Sequence, residues 1–319
     1  MSEFDYSKVS DPEFFRENRL DAHSDHKWFV SVAEEMEGAS RFRHSLNGLW
    51  KFFYAPNYNA AIPGFQNLDC DCHSWADIRV PAHIQMEGYD SPQYANVQYP
   101  WDGHDEIKPG QIPEHFNPVA SYVKYFHVPE HMTDGPVYIS FQGVESAMVL
   151  WCNGVYVGYS EDTFTPSEFE LTPYLKEGEN KLAVQVFKWC GGSWCEDQDF
   201  FRFSGIFREV YLYTVPKVHI WDMKIRTLLN DSFDKANLTI DLKASSTGKV
   251  SVKLLREERS FCFEEKYDSL PGQVDSCIQI AELDGILQQE SHFVIPAYLR
   301  TVIATAAVYW GFDSLLHLR

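Results

Sequence analysis

"AMVLWCNGVYVGYS" (147–160) reads as two strands folded back on a two-residue turn. Asn153-Gly154 supplies the positive φ angles of a type I′ turn, whose twist matches that of flanking antiparallel strands. Outward from this hairpin the same texture continues in "GLWKFFY" (48–54), "SYVKYFHV" (121–128), "PVYISFQGV" (136–144), "KLAVQVFKW" (181–189) and "REVYLYTV" (208–215). Short aromatic and β-branched runs separated by turn residues are the signature of an all-β sandwich. "KEGENK" (176–181) marks a further turn, and in the strand after it Leu182, Val184, Val186 and the aliphatic stem of Lys188 share one face. No stretch has the helical length and period of a βαβ repeat, which excludes a Rossmann fold or a complete TIM barrel within these residues.

A chain of 319 residues suits two domains of ordinary size. Past Pro216 the strands lose their aromatics: "KVHIWDMKIRT" (217–227), "ANLTIDLKAS" (236–245) and "KVSVKLLREE" (249–258) alternate apolar and polar residues. That pattern fits an immunoglobulin-like sandwich with one face in water. The expected organisation is an N-terminal arm over 1–40, a first sandwich over 41–216, a second over 217–292, and an atypical apolar tail over 293–319. Pro296 and Arg300 interrupt the tail, and its unbroken part is shorter than the roughly 20 residues of a membrane span. It reads as a final strand with a frayed end.

Lys and Arg total 27 against 46 Asp and Glu, a formal charge of −19. Phosphate backbones and anionic membrane surfaces need clustered positive charge, so neither nucleic acid nor membrane is expected as a partner. Residues 1–20 are charged throughout and hold no apolar stretch of signal-peptide length. The seven cysteines are odd in number and irregularly spaced, which reads as free thiols in a cytoplasmic protein. Neither Cys70-Asp-Cys72 nor Cys190 with Cys195 has the two-residue gap usual at zinc. His23 and His26 in "AHSDH" read as a loop or capping feature.

Chemistry concentrates in two stretches. "WCEDQDFFRFSGIFREVYLY" (194–213) sets Glu196, Asp197 and Asp199 directly against Phe200, Phe201 and Phe203. Carboxylates beside aromatic rings suit a sugar, whose hydroxyls need short polar partners and whose ring face needs an apolar platform. Two readings compete with that hydroxyl or cation site. Retaining glycoside hydrolysis needs two carboxyls about 5–5.5 Å apart across the scissile bond; Glu196 and Asp197 would point to opposite faces of a strand, and Asp197 and Asp199 would approach one side of the sugar. The plainest alternative is ion pairing with Arg202 or Arg208 at a sandwich edge. "YDSPQYANVQYPW" (89–101), rich in Tyr, Asn and Gln and poor in alternation, should be a long loop, packed by its own tyrosines or carrying binding residues. No Ser-His-Asp set, glycine-rich phosphate loop or zinc spacing is present. The residues alone therefore give two β-sandwiches with a sugar-binding or polar-ligand edge.

"RFRHSLNGLWKFFY", "VPAHIQMEGYDSPQYANVQYP", "GVESAMVLWCNGVYVGYSEDTFTPSEFELTPYLKEGENKLAVQVFKW" and "EDQDFFRFSGIFREVYLY" together resemble the N-terminal part of the bacterial β-galactosidases of glycoside hydrolase family two. "DPEFFRENRLDAHSDHKWF" resembles the opening of its long members, and the similarity is ordered and nearly continuous from about residue 10 to 225. The resemblance implies a jelly-roll sugar-binding domain, then an immunoglobulin-like domain, then a TIM barrel with two catalytic glutamates that hydrolyses terminal β-galactosides such as lactose with retention. It further implies that Asp199 contacts the galactosyl group and helps ligate sodium, and that Asn96 hydrogen-bonds the sugar. Glu196 and Asp197 are then expected to support the loop. The barrel glutamates, and the ligands of the family's magnesium, fall outside residues 1–319, so these residues by themselves are expected to be inactive. The similarity fades through the second domain, and the tail matches nothing expected before a barrel, as a truncated or frameshifted product would. The alternative is a carbohydrate-binding or assembly subunit that complements a separate barrel chain or works in a homo-oligomer; a lectin acting alone is the third reading.

Overall fold

The computed structural model describes residues 4–196, 199–231, 236–246, 248–256, 259–270, 276–280, 305–310 and 314–317. Among these residues the fold is all-β apart from one α-helix, Val32–Glu37, and a few single 3₁₀ turns. Two compact units divide the chain: Met1–Ala22 with Arg43–Thr214, and His23–Phe42 with Val215–Arg319. The expected arm thus falls into both units, its first part with the first sandwich and its second with the other.

In the first unit two antiparallel sheets enclose the core. Strands Arg16–Glu17, Val155–Ser160, Ala147–Cys152, Glu179–Phe187, Val119–His127, Gly48–Ala55 and Ala76–Val80 lie side by side in that order. The facing sheet runs Ser167–Glu170, Val137–Phe141, Val210–Thr214, Arg43–Ser45. The hairpin is as read: Asn153 and Gly154 take φ values of 51° and 80°. The Asn153 side chain fixes the turn by donating to Tyr174 O at 2.9 Å and accepting from Lys181 N at 3.0 Å.

Period-two alternation then sorts side chains onto two cores. Leu150, Leu182, Val184 and Val186 join Phe52, Ile139, Phe141 and Leu212 between the sheets. Val149, Trp151, Ala183 and Phe187 face outward, where Phe4, Val9, Phe65 and Cys72 bury them. The seven-stranded sheet is therefore covered on both faces, which explains its near-continuous apolar strands. Phe4 and Phe14 stack on Tyr159 at 5.1 and 5.4 Å, and Arg16–Glu17 pairs with Val155–Ser160. The approach is close enough that a Cβ on Gly158 would lie 2.5 Å from Glu17 O and 2.6 Å from the Phe169 ring.

The second unit has a sheet of Ile220–Leu229, Ala236–Ala244 and Ser276–Ile280 and another of Lys27–Phe29, Ser314–His317, Thr305–Trp310, Gly248–Arg256 and Arg259–Leu270. His26 is buried, with Nε2 3.1 Å from Ile220 O and Nδ1 2.9 Å from Ser24 Oγ, so it ties its segment to a strand rather than capping a helix. Of the apolar tail, Thr305–Trp310 and Ser314–His317 pair antiparallel, and its other residues lie outside the described ones. Among the described residues no helix is long and apolar enough to cross a membrane.

Candidate functional site

The stretch 89–101, expected as an unbroken loop, contains a three-residue strand, Gln93–Ala95. It has too little alternation to stand out, and what makes it a strand is a distant partner: Phe200, Phe201 and Arg202 pair antiparallel with Ala95, Tyr94 and Gln93. The register sets Asp199 and Asn96 one step beyond the last paired residues, Phe200 and Ala95. The two residues expected to contact sugar, more than a hundred positions apart in sequence, thus leave the same end of one ribbon, both exposed. Tyr94, which no sequence signal singled out, donates its hydroxyl to Asp199 Oδ1. That bond holds the phenol above its ordinary pKa, because the carboxylate favours the protonated form. Asp197 lies outside the described residues.

The stems of both segments are tied together below the site. Gln85 donates to Asp90 Oδ2 and to Ser204 Oγ, each at 2.9 Å, and its Oε1 accepts from Ser204 N at 3.0 Å. Lys188 reaches the same Asp90 Oδ2 at 2.6 Å with its side chain only 1% exposed. Its ammonium, not just its stem, is therefore buried, and Asp90 offsets the cost of desolvating it. On the other side Tyr99, Trp101, Trp189 and Trp194 pack with ring centroids 4.6–5.7 Å apart, joining the end of the Asn96 segment to the start of the Asp199 segment.

The aromatics after Asp199 form a chain of contacts rather than a core. Tyr94 meets Phe201 at 5.2 Å and Phe201 meets Phe203 at 6.0 Å. Phe203 and Phe207 then flank His83 at 4.7 and 4.9 Å. Tyr94 and Phe201 are 54% and 56% exposed, so an apolar platform stands beside the Asp199 carboxylate in water.

Three further carboxyls gather behind the ribbon, none of them signalled by sequence as a group. Glu145 is 6% exposed, and burial, reinforced by the charge of Glu196, pushes its carboxyl up to about 8 against the opposing pull of Arg202 and Lys188. Burial also raises Glu196, which accepts from Thr163 Oγ1 at 3.2 Å and is partly compensated by Arg202. Glu161 is raised by burial as well, while accepting from Gly192 N at 3.0 Å and Tyr159 Oη at 2.5 Å. Glu196 is thus tied to Thr163 and Arg202. Arg202 is buried beside these acids, whereas Arg208 donates to the carbonyls of Phe164 and Gln142 at 2.9 and 3.4 Å. Among the described residues no group of three or more His, Cys, Asp or Glu side chains is arranged to hold a metal ion. A cation at Asp199 would have one carboxylate from this ribbon and the rest of its shell from other donors.

A jelly-roll edge presenting a carboxylate, an amide and exposed rings is the architecture of a carbohydrate-binding domain. The chain belongs to glycosyl hydrolase family 2: the family's sugar binding domain matches residues 43–216. It is 54% identical over 249 residues to a β-galactosidase of Halalkalibacterium halodurans, covering 77% of this chain and 25% of that protein. It is 44% identical over 224 residues to a β-galactosidase large subunit of Latilactobacillus sakei, covering 66% of this chain and 36% of the subunit. The chain thus spans about a quarter to a third of the length of these curated relatives. A calcium-binding mutant of Bacteroides uniformis β-glucuronidase 2 has the same fold, with a TM-score of 0.58 at 15% identity over 83% of this chain and 30% of that one.

Proposed function

We propose that these residues are the N-terminal sugar-binding portion of a cytoplasmic β-galactosidase that hydrolyses terminal β-galactosides such as lactose with retention. The observation that carries the reading is that Asn96 and Asp199 follow the paired residues at one end of a ribbon, beside the exposed rings of Tyr94 and Phe201. The likeness in sequence to the β-galactosidases supports the choice of galactoside.

In this reading the Asn96 amide and the Asp199 carboxylate hydrogen-bond hydroxyls of the galactosyl group, and the rings cover its apolar face. Tyr94 fixes the carboxylate through its hydroxyl, while the Gln85–Asp90–Lys188 network and the tryptophan cluster fix the two stems. Sodium, when bound, would neutralise the Asp199 charge near the sugar, with its other ligands drawn from elsewhere. Bond cleavage needs a pair of carboxyls astride the glycosidic bond, which Asn96 and Asp199 do not provide. The 319-residue polypeptide assayed by itself is therefore expected to hydrolyse nothing measurable.

A second reading is favoured by the likeness to a protein named a large subunit: the sugar-binding portion works together with a separate chain or a second copy. One experiment addresses both. Hydrolysis of a chromogenic galactoside is measured for the purified polypeptide alone and after mixing with a fragment of the Halalkalibacterium halodurans enzyme lacking its own matching N-terminal region. Activity only in the mixture supports the proposal; turnover by the 319 residues alone refutes it.

A further inference from the structure

Well away from this site in sequence, two cysteines face each other across one residue. Cys70 Sγ and Cys72 Sγ are 3.9 Å apart. We propose that Cys70 and Cys72 are an oxidative modification site, closing to a reversible intrachain disulfide when the protein meets a low-molecular-weight disulfide.

The two thiols are set up unequally. Cys70 is partly exposed and lines a cavity of about 390 Å³, together with Asp71, His73, Tyr125, Lys176 and Lys181. A small disulfide can therefore reach it. Cys72 is fully buried behind, its thiol 3.7 Å from the carbonyls of Phe65 and Cys70. Burial pushes the Cys72 thiol up to about 11, opposed by the nearby Lys181 ammonium, so Cys70 is the thiol that reacts first. The loop is also held in place for the reaction. Lys181 Nζ donates to the carbonyls of Phe65, Asn67 and Cys70, each at 2.7 Å, and Cys72 N donates to Tyr125 Oη at 3.3 Å. Cys152 and Cys190 are buried beside a carbonyl and a hydroxyl instead, and Cys195 stands exposed.

The chemistry is two consecutive exchanges. The Cys70 thiolate attacks one sulfur of the small disulfide; the old S–S bond breaks, one small thiolate leaves and a mixed disulfide remains on Cys70. Cys72 then gives its proton to the small thiolate released in the first exchange and attacks Cys70 Sγ, expelling the second small thiolate, which takes its proton from water. The two cysteines lose two electrons and two protons, and the small disulfide is reduced to two thiols. Bonding requires the sulfurs to close from 3.9 Å to about 2.05 Å, a movement side-chain rotation and a small loop adjustment supply. Closing a ring over a single intervening residue leaves the bond strained, so excess thiol reopens it.

The test uses oxidised glutathione as the probe. Trypsin releases residues 52–79 as one peptide that contains Cys70 and Cys72 and no other cysteine. After treatment of the folded chain and quenching with iodoacetamide, this peptide is expected without alkylation and two hydrogen masses lighter than the reduced form. Dithiothreitol should restore two alkylation sites. In Cys72→Ser the peptide should instead stop as the glutathione adduct on Cys70, and in Cys70→Ser Cys72 should stay unmodified. Two alkylated cysteines in 52–79 while exposed Cys195 has taken up glutathione would overturn the proposal, as would a lasting adduct on Cys70 of the unaltered chain.

Discussion

Glu145→Gln should stabilise the first unit, and more so as pH rises. In the fold Glu145 keeps its proton to about 8, against an ordinary glutamate value of 4.5, because it is buried with Glu196 nearby. Between those two values the native state binds a proton that the unfolded chain has released, so stability falls as pH rises through that window. At 1.36 kcal/mol per unit, the loss is about 3 kcal/mol by pH 7 and about 5 kcal/mol above pH 8. Glutamine keeps the shape and a hydrogen-bonding end but does not ionise, so it should escape this loss. The expected result is near-equal stability of the two proteins at pH 5 and an advantage of about 3–5 kcal/mol for the variant at pH 8.5. Urea unfolding followed by tryptophan fluorescence is the assay, since six of the nine tryptophans lie in the first unit. Equal pH dependence in both proteins, or a variant less stable at pH 8.5, would refute the burial argument.

Two further substitutions test how the site is held. Lys188→Met leaves Asp90 buried without its ammonium and should cost about 3–5 kcal/mol, with Asp90→Asn in the same chain restoring a large part of it in urea unfolding. Gly158→Ala places a methyl group 2.5 Å from Glu17 O; it should cost about 1–3 kcal/mol and speed amide exchange in Arg16–Glu17 more than in Val119–His127.

What the sequence makes legible follows from which forces are local. The Asn153-Gly154 turn and the alternating strands around it depend on neighbouring residues, and the all-β sandwich follows from them. The ribbon under the site does not: Gln93–Ala95 is a strand only because Phe200–Arg202 arrives beside it, and nothing within 89–101 encodes that arrival. The same holds for Lys188, whose apolar stem was readable from alternation while its buried ammonium needs Asp90, nearly a hundred residues earlier. Phe4, Val9 and Phe14 are spaced among charges, so the segment reads as an arm without showing that these three side chains cap the outer core. Residue types marked the acids and aromatics of 196–203 as a polar-ligand edge. Choosing Asp199 and Asn96 from among their neighbours took the family resemblance, because hydroxyl recognition has no spacing of its own.

The most direct measurement is kcat/KM for a β-galactoside in a chimera of the Halalkalibacterium halodurans enzyme whose matching region is replaced by residues 1–225 of this chain, with and without Asp199→Ala and Asn96→Ala. An active chimera that loses at least about a hundredfold with Asp199→Ala, equivalent to about 2.7 kcal/mol of transition-state binding, and loses measurably with Asn96→Ala is the predicted result. An active chimera indifferent to both substitutions would contradict the assignment of this ribbon to the sugar.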